Sequence, residues 1–427
     1  MTGVDTGTDS GTSKRDRFIA VRKTDVLDAL IGHGGIAAAD TDRFRRFARL
    51  LGAIYHYEYF DRLEALRNDY YYFNPDLPHD APVAPTTLAQ AHHELVATLV
   101  GVLGDADFVE MPPDDIARSH RERHALKVEV ALSSEGYREV RFFHRGHRRD
   151  TVETADWFGL RKRRVTVDVY DHLVLIVMIK PADELSPALA RHLASKRLRP
   201  GTILIKVFRD VVRGDLKMLF PDVRVVLSLF DKIMLGVPAL FGGVPIIFKM
   251  LTTFSVLFLV ASAYLGAAGA VHDDDIKKAL AALSGVVALG GFLTRQWVKY
   301  QSQSLKYHKE ISDNVYFRNI SNNAGALETI VGTAEEQECK EAFLTYAFMA
   351  AAAAPVTQSE LARRIETWLK ERFGVDVTFA IDDALAKLDR LALLRRDCDR
   401  LAVPPLDAAL QTLDQVWGRL LPPNAAG

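Results

Sequence analysis

Lys249 to Lys299 reads KMLTTFSVLFLVASAYLGAAGAVHDDDIKKALAALSGVVALGGFLTRQWVK. No charged residue lies between Lys249 and Asp273, a run of about 23 residues that would measure roughly 34 Å as a helix. That exceeds a hydrocarbon core of about 30 Å. A second charge-free run, Ala279 to Thr294, is about 16 residues or roughly 24 Å, marginal by itself. Together they predict a transmembrane hairpin, with spans at 250–271 and 277–298 around the polar tip His272–Lys278. The preceding stretch, Ile233–Phe248, is apolar but broken by Pro238 and Pro245 and by Gly236, Gly242 and Gly243. It is expected as a collar at the membrane surface, because prolines interrupt a helix ladder. Arg224, Lys232 and Lys249 before the hairpin and Arg295, Lys299, Lys306 and Lys309 after it outnumber Lys277 and Lys278 at the tip. By the positive-inside bias both flanking parts are expected in the cytoplasm. The expected location is the cell (inner) membrane, multi-pass, with a mitochondrial membrane as the alternative.

The rest of the chain has an ordinary globular balance, 26% charged and 48% hydrophobic over 427 residues. A net charge of −1 makes no general electrostatic case for nucleic acid. Two cysteines, Cys339 and Cys398, exclude a disulfide scaffold. The first 14 residues are polar and lack an apolar signal core, and are expected to be a disordered tail.

Residues 15–112 read as an N-terminal helical region. Phe44, Phe47, Leu51, Ile54, Leu63 and Leu66 recur at helical spacing, and Pro75 and Pro78 end that helix. Residues 113–232 read as an α+β module. Lys127–Leu132 and Tyr137–His144 alternate around the turn Ser133–Gly136 and predict a hairpin. Val165–Tyr170, His172–Ile179 and Thr202–Phe208 are strand-like, and Ser186-Pro187 opens a helix. After the membrane region, 233–299, a helical region covers 300–354. Asn322–Gly325 reads as a turn, and Thr333-Ala-Glu-Glu336 as a capping box opening a helix. In 355–427 a second capping box, Thr357–Glu360, is followed by a helix, a second helix at Asp382–Leu391 and a short hairpin. That order is winged-helix-like.

Several blocks together carry a resemblance. They are Arg17-Phe18-Ile19 with Arg22-Lys23, His56–Tyr59 with Arg62–Glu64, Asn74-Pro75-Asp76, Ile205–Phe208 with Asp215–Leu219, Asp231-Lys232 with Gly236–Pro238 and Gly242–Pro245, Asn322–Gly325, and Glu335–Glu341. In this order they resemble the transmembrane protein 143 family, the domain of unknown function 3754, over roughly Arg17 to Pro405. The resemblance implies two spans near 250–295 and carries no activity, cofactor or catalytic residue.

No motif of high catalytic specificity occurs, and no cofactor is expected. His120 and His124, four apart, and His144 and His147, at a strand end, are the candidate metal ligands. Zinc asks for three or four fixed ligands, and no CxxC or HExxH is present, so solvated or core histidines are the default. His56 and Glu58 could serve as acid and base only if a cleft joined them. Glu335, Glu336, Glu338 and Glu341 read as an acidic helix start, with Asn322 and Asn323 as further oxygen donors for a cation. Arg161, Lys162, Arg163 and Arg164 beside Trp157, with Trp297 at the exit of the hairpin, suit contact with a membrane surface. Gly266/Ala270 and Ala281/Gly285 are small pairs suited to close helix packing, within the hairpin or between copies. Asp382, Asp383 and Asp389 make the second C-terminal helix a poor groove reader, which favours a protein partner there over nucleic acid. The leading expectation is a bilayer-anchored scaffold or regulatory interaction protein. A membrane-bound hydrolase or lipid-modifying enzyme, using His56/Glu58 or the 120–147 histidines, is the alternative.

Overall fold

The computed structural model describes residues 15–32, 36–78, 83–119, 129–131, 135–155, 162–222, 224–226, 262 and 273–420. Chain contacts divide it into two units. The first comprises 1–123, 134–216 and 318–427, and the second 124–133 and 217–317.

The first unit is built on a five-stranded antiparallel sheet in the order β1-β3-β4-β5-β7, comprising Val109–Glu110, Tyr137–Ala155, Lys162–Ile179, Ile203–Val212 and Asn319–Asn322. β3 and β4 form one long hairpin, paired from Tyr137/Ile179 to Ala155/Lys162. The two strands expected at Val165–Tyr170 and His172–Ile179 are thus one. Alternation sends Phe143, Val174, Ile176, Met178, Ile203, Ile205 and Val207 into a shared core with the helices. Gly136 lies against Leu193 of α5, Pro187–Ser195, which Ser186 caps as the sequence suggests, its Oγ accepting from Leu189 N–H at 3.3 Å.

The helical part of this unit surrounds one element, α7, Asn323–Ala350. It is packed by α1 (Lys23–Gly32), α2 (Thr41–Tyr70), α3 (Pro85–Asp105), α8 (Gln358–Phe373), α9 (Ile381–Arg390) and β5. Phe44, Phe47, Leu51 and Ile54 of α2 are buried as their spacing requires, and the Phe47 ring stacks 4.2 Å from that of Tyr346. In the C-terminal part Thr357 Oγ1 accepts from Glu360 N–H, and Gly374, at φ +70°, ends α8. The helix, helix, hairpin order is present as α8, α9 and β9–β10 (Arg395–Asp397, Arg400–Ala402). Val356–Thr357, β8, adds a third strand in the order β8-β10-β9, and α10, Leu406–Leu420, packs on α2.

Two local readings differ. The expected turn at Asn322–Gly325 is the start of α7, ten residues before the expected capping box. Thr333 Oγ1 donates to the Thr329 carbonyl inside the helix rather than capping it. The expected pairing of 127–132 with 137–144 is not among the strand pairings of the described residues either. Glu129–Ala131, β2, pairs with Arg224–Val226, β6, while β3 pairs with β4. Alternation marks a strand but carries no information about its neighbour.

The second unit contains the β2–β6 pair and α6, Asp273–Arg318, up to Phe317. Among the described residues no helix is long and apolar enough to cross a membrane. This overturns the two-span membrane architecture and, with it, the multi-pass location in the cell or a mitochondrial membrane. The second expected span, 277–298, is part of a 46-residue helix that begins in the charged run Asp273–Lys278 and carries Arg295 and Lys299. Its charge-free stretch is about 16 residues, roughly 24 Å against the ~30 Å of a bilayer core. The first expected span, 250–271, lies outside the described residues except for Ser262, and the collar 233–248 lies wholly outside them.

Candidate functional site

The polar centre of the first unit lies on α7, where the sequence Glu335–Glu341 reads EEQECKE. On an isolated helix these residues would face water. Here Gln337, Glu338, Lys340 and Glu341 are all at most 5% exposed. Buried polar groups must find partners, since each unpaired one costs on the order of a few kcal/mol. Theirs come from segments far away in the chain.

One side of α7 holds the segment 15–23, which bends at Phe18 and Val21 before α1 begins. Ile19 N–H donates to Gln337 Oε1 at 3.2 Å, and Lys340 Nζ donates to the carbonyls of Ile19 and Val21 at 2.6 and 3.2 Å. Lys23 N–H donates to Glu336 Oε1 at 3.0 Å. The Phe18 ring lies 3.6 Å from the Arg145 guanidinium carbon and 4.5 Å from Lys340 Nζ, a cation–π arrangement on both. Arg145 in turn donates to the Ala106 carbonyl at 3.1 Å. Gln337 Nε2 donates to Asp107 Oδ2 and Glu341 Oε1, so the seam runs on into the interior. Burial shapes the titration of these groups. It pushes the Asp107 carboxyl up to about 7 and holds the Lys340 ammonium down at about 8.

The other side meets α9. Lys387 Nζ pairs with Glu338 at 2.5 Å, with Asp383 at 2.7 Å and with Glu341. The three carboxylates lie within 4.8 Å of one another and form the acid group, among the described residues, that could hold a cation. Lys387 already supplies that cation. Burial raises the Glu338 carboxyl to about 8 and raises Glu341 as well, while the carboxylates raise Lys387 against its own desolvation. A hard metal ion takes six or more oxygens. Three carboxylates around an ammonium fit a closed ion cluster, and a metal would have to displace Lys387.

A third polar node closes the other end of α7. Asn323, at φ +51°, donates from Nδ2 to Asp76 Oδ2 at 2.8 Å and accepts from Ile205 N–H at 3.4 Å. Arg199 donates to the carbonyls of Asn74, Pro75 and Leu77. Several of the sequence blocks singled out above thus meet in space: 17–23 with 335–341, and Asn74–Asp76 with Asn322–Asn323.

The other expected site residues scatter. His56 Nδ1 lies 3.1 Å from Glu335, while Glu58 receives both bonds of an ion pair from Arg390 at 2.8 Å. The two residues therefore have separate partners. Asn322 and Asn323 do not join the acids at Glu335, which lie twelve or more residues, about 18 Å, further along the helix. His120 and His124 lie outside the described residues. His144 and His147 on β3 both approach Tyr170, at ring distances of 4.6 and 5.9 Å, and His147 Nε2 is 3.4 Å from Asp168. Burial lowers the His144 ring, and lowers His172 on β4 to about 4. Trp157 and Arg161 lie outside the described residues, as do the side chains of Lys162 and Arg163. The backbone of Lys162–Arg164 is the beginning of β4, paired with Glu153–Ala155, and Arg164 is exposed. Gly266 and Ala270 fall outside the described residues, Ala281 and Gly285 lie one turn apart on α6, and Trp297 on the same helix is exposed.

Lys387, Gln337 and Lys340 carry the site, and the sequence reading did not select them. A signal existed. Lys387 sits in phase with Ala384 and Leu391, and Gln337, Lys340 and Glu341 sit in phase with Leu344. A charge on the apolar stripe of a helix has to find an internal partner.

Residues 170–325 match the family model described as Protein of unknown function (DUF3754). The matched stretch runs from β4 to the first residues of α7, so it includes Asn322 and Asn323 but none of Glu335–Glu341. No solved structure matches the chain.

Proposed function

We propose that this chain is a regulatory interaction protein, a scaffold whose working surface is assembled by α7. Its kinship reaches beyond the matched residues to the transmembrane protein 143 family, a relation supported by the spatial pairing of the blocks 17–23 with 335–341 and 74–76 with 322–323. One observation carries the reading. The buried polar side chains of α7 are spent on holding other segments of chain, Gln337 and Lys340 on 15–23 and Glu338 and Glu341 on Lys387. A catalytic centre needs such groups aimed at a place where substrate can sit. These groups are aimed at peptide backbone and at an internal ammonium. The C-terminal part, α8 to β10, is the proposed partner-facing region, with Arg395, Arg396, Asp397, Asp399 and Arg400 exposed on its hairpin.

Crosslinking in the native cell, followed by purification of the full chain, tests the reading. A protein partner recovered at near-stoichiometric amount, with crosslinks to α8–β10 or to the α7 surface, is the expected result. Recovery of the chain alone, under conditions that preserve known complexes of the same cell, overturns it.

A further inference from the structure

We infer that the groove between α7, Arg145 and Val377–Thr378 is a peptide-binding site, and that residues 15–23 of the chain are its internal ligand. The inference rests on the interaction reading above and assigns it a place and a ligand chemistry: a non-helical segment carrying a phenylalanine, a β-branched apolar residue and then a tight turn.

The segment is held as a peptide ligand is held. Gln337 accepts from the N–H of Ile19 and Lys340 donates to the carbonyl of the same residue, so one peptide residue is clamped at both backbone groups by side chains. Upstream, Asp16 forms a parallel bridge with Val377, and Thr378 N–H donates to the Asp16 carbonyl at 2.8 Å. Backbone pairing of this kind gives affinity without regard to sequence, and side-chain pockets give specificity. The pockets are present. Ile19 is fully buried, Phe18 lies between the Arg145 and Lys340 cations, and Ala20 and Arg22 point outward. Arg15 adds an exposed ion pair with Asp376 at 3.4 Å, near Glu366 at 3.8 Å.

The chemistry on the groove side makes the site demanding rather than merely accommodating. Lys340 is 1% exposed, and its ammonium is satisfied by two carbonyls of the segment and one aromatic face. Arg145 is 5% exposed and rests on Phe18 and Phe108. Without an occupant both buried cations would lose partners, which desolvated charge tolerates poorly. An empty groove therefore calls for an aromatic and two backbone carbonyls spaced as in the turn where Val21 N–H donates to the Ile19 carbonyl at 2.8 Å. A partner's segment of that pattern can take the place of 15–23, and the chain's own segment then acts as a competitor.

The test uses the full chain and a fluorescein-labelled peptide of sequence Arg15–Lys23, with fluorescence anisotropy as the readout. The double variant Phe18→Ala/Ile19→Ser weakens the internal ligand. It is expected to bind the peptide at least ten-fold more tightly than the wild type, and further substitution Lys340→Ala is expected to abolish that binding. No binding to a double variant that still unfolds cooperatively overturns the inference. Should that variant fail to fold, hydrogen exchange on the wild-type chain decides. The Ile19 and Lys23 amides are expected to exchange through a local opening, faster than those of Phe343 and Leu344. Exchange of all four only with global unfolding marks 15–23 as a permanent part of the core and overturns the inference. A native partner crosslinked only to α8–β10, with no peptide binding here, leaves the broader interaction reading standing and removes this groove from it.

Discussion

Lys340 Nζ lies 2.6 Å from the carbonyl oxygen of Ile19, a residue 321 positions away in the chain. That bond joins the start of the described chain to the middle of its most buried helix. The same turn of α7 reaches Asp107 through Gln337 and Lys387 through Glu341. Four distant segments thus share one polar seam, and its residues are where substitution has consequences.

Lys387→Met removes the cation from three carboxylates. Stripping one partner from a buried ion cluster costs about 3–5 kcal/mol. The carboxylates can recover part of that by taking up protons, so the loss is expected to be smaller at pH 5 than at pH 8. Urea unfolding of both chains at the two pH values measures it. A loss that does not grow with pH would show that the carboxylates are not the groups left exposed to one another.

The Glu338 carboxyl, raised by burial to about 8 from an ordinary 4.5, gives a pH signature. The folded state keeps a proton that the unfolded state gives up. Its stabilising contribution is full below about pH 4.5 and is lost as pH rises through 8. Glu338→Gln removes this dependence. Wild type is therefore expected to lose stability relative to the variant between pH 5 and 8, on the order of a few kcal/mol. Parallel unfolding midpoints across that range would contradict the assignment.

The trio Glu338, Glu341 and Asp383 is expected to behave as an ion cluster already filled by Lys387. Calcium or manganese should leave the wild-type melting temperature unchanged and raise that of Lys387→Met, because a metal can then take the ammonium's place. Thermal scans with and without each ion decide the point.

Gly146 sits in β3 at φ +69°, and a methyl group there would lie 2.8 Å from Asp171 Cβ and Cγ. Asp171 is itself held by Arg148, which also pairs with Asp210 at 2.6 Å. Gly146→Ala is expected to destabilise by about 1–3 kcal/mol from backbone strain and contact together. Measured against Asp171→Gly alone, which already lacks the Arg148 pair, Gly146→Ala should cost only the strain, a separation that chemical unfolding can resolve.

Asn323→Ala should cost about 1–2 kcal/mol, from a left-handed backbone that alanine dislikes and from the lost bond to Asp76. Asn323→Gly relieves the first and keeps the second, so it is expected to fall between alanine and wild type. Equal losses for both would place the whole effect in the hydrogen bond.

Local chemistry was legible in the sequence at several places where the signal was complete within a few residues, though not at Thr333–Glu336, which lies inside α7. The caps at Ser186 and Thr357, the left-handed stop at Gly374 and the apolar stripe of α2 all follow from residues close to one another. The charge-free runs at 250–272 and 279–294 are equally plain in the sequence, yet hydropathy by itself led to a spanning hairpin. Only the helix to which the second run belongs, charged at its start and long past its end, decided against that reading. Strand partners were not legible, because a period of two marks a strand without naming its neighbour. Nor was the site. Glu335–Glu341 has the composition of a solvated surface, and it is the packing of α1, α2, α3, α8 and α9 around α7 that excludes water. Burial turns those charges from solvated groups into ones that must be paired, and the partners lie on segments that only the tertiary fold brings within reach.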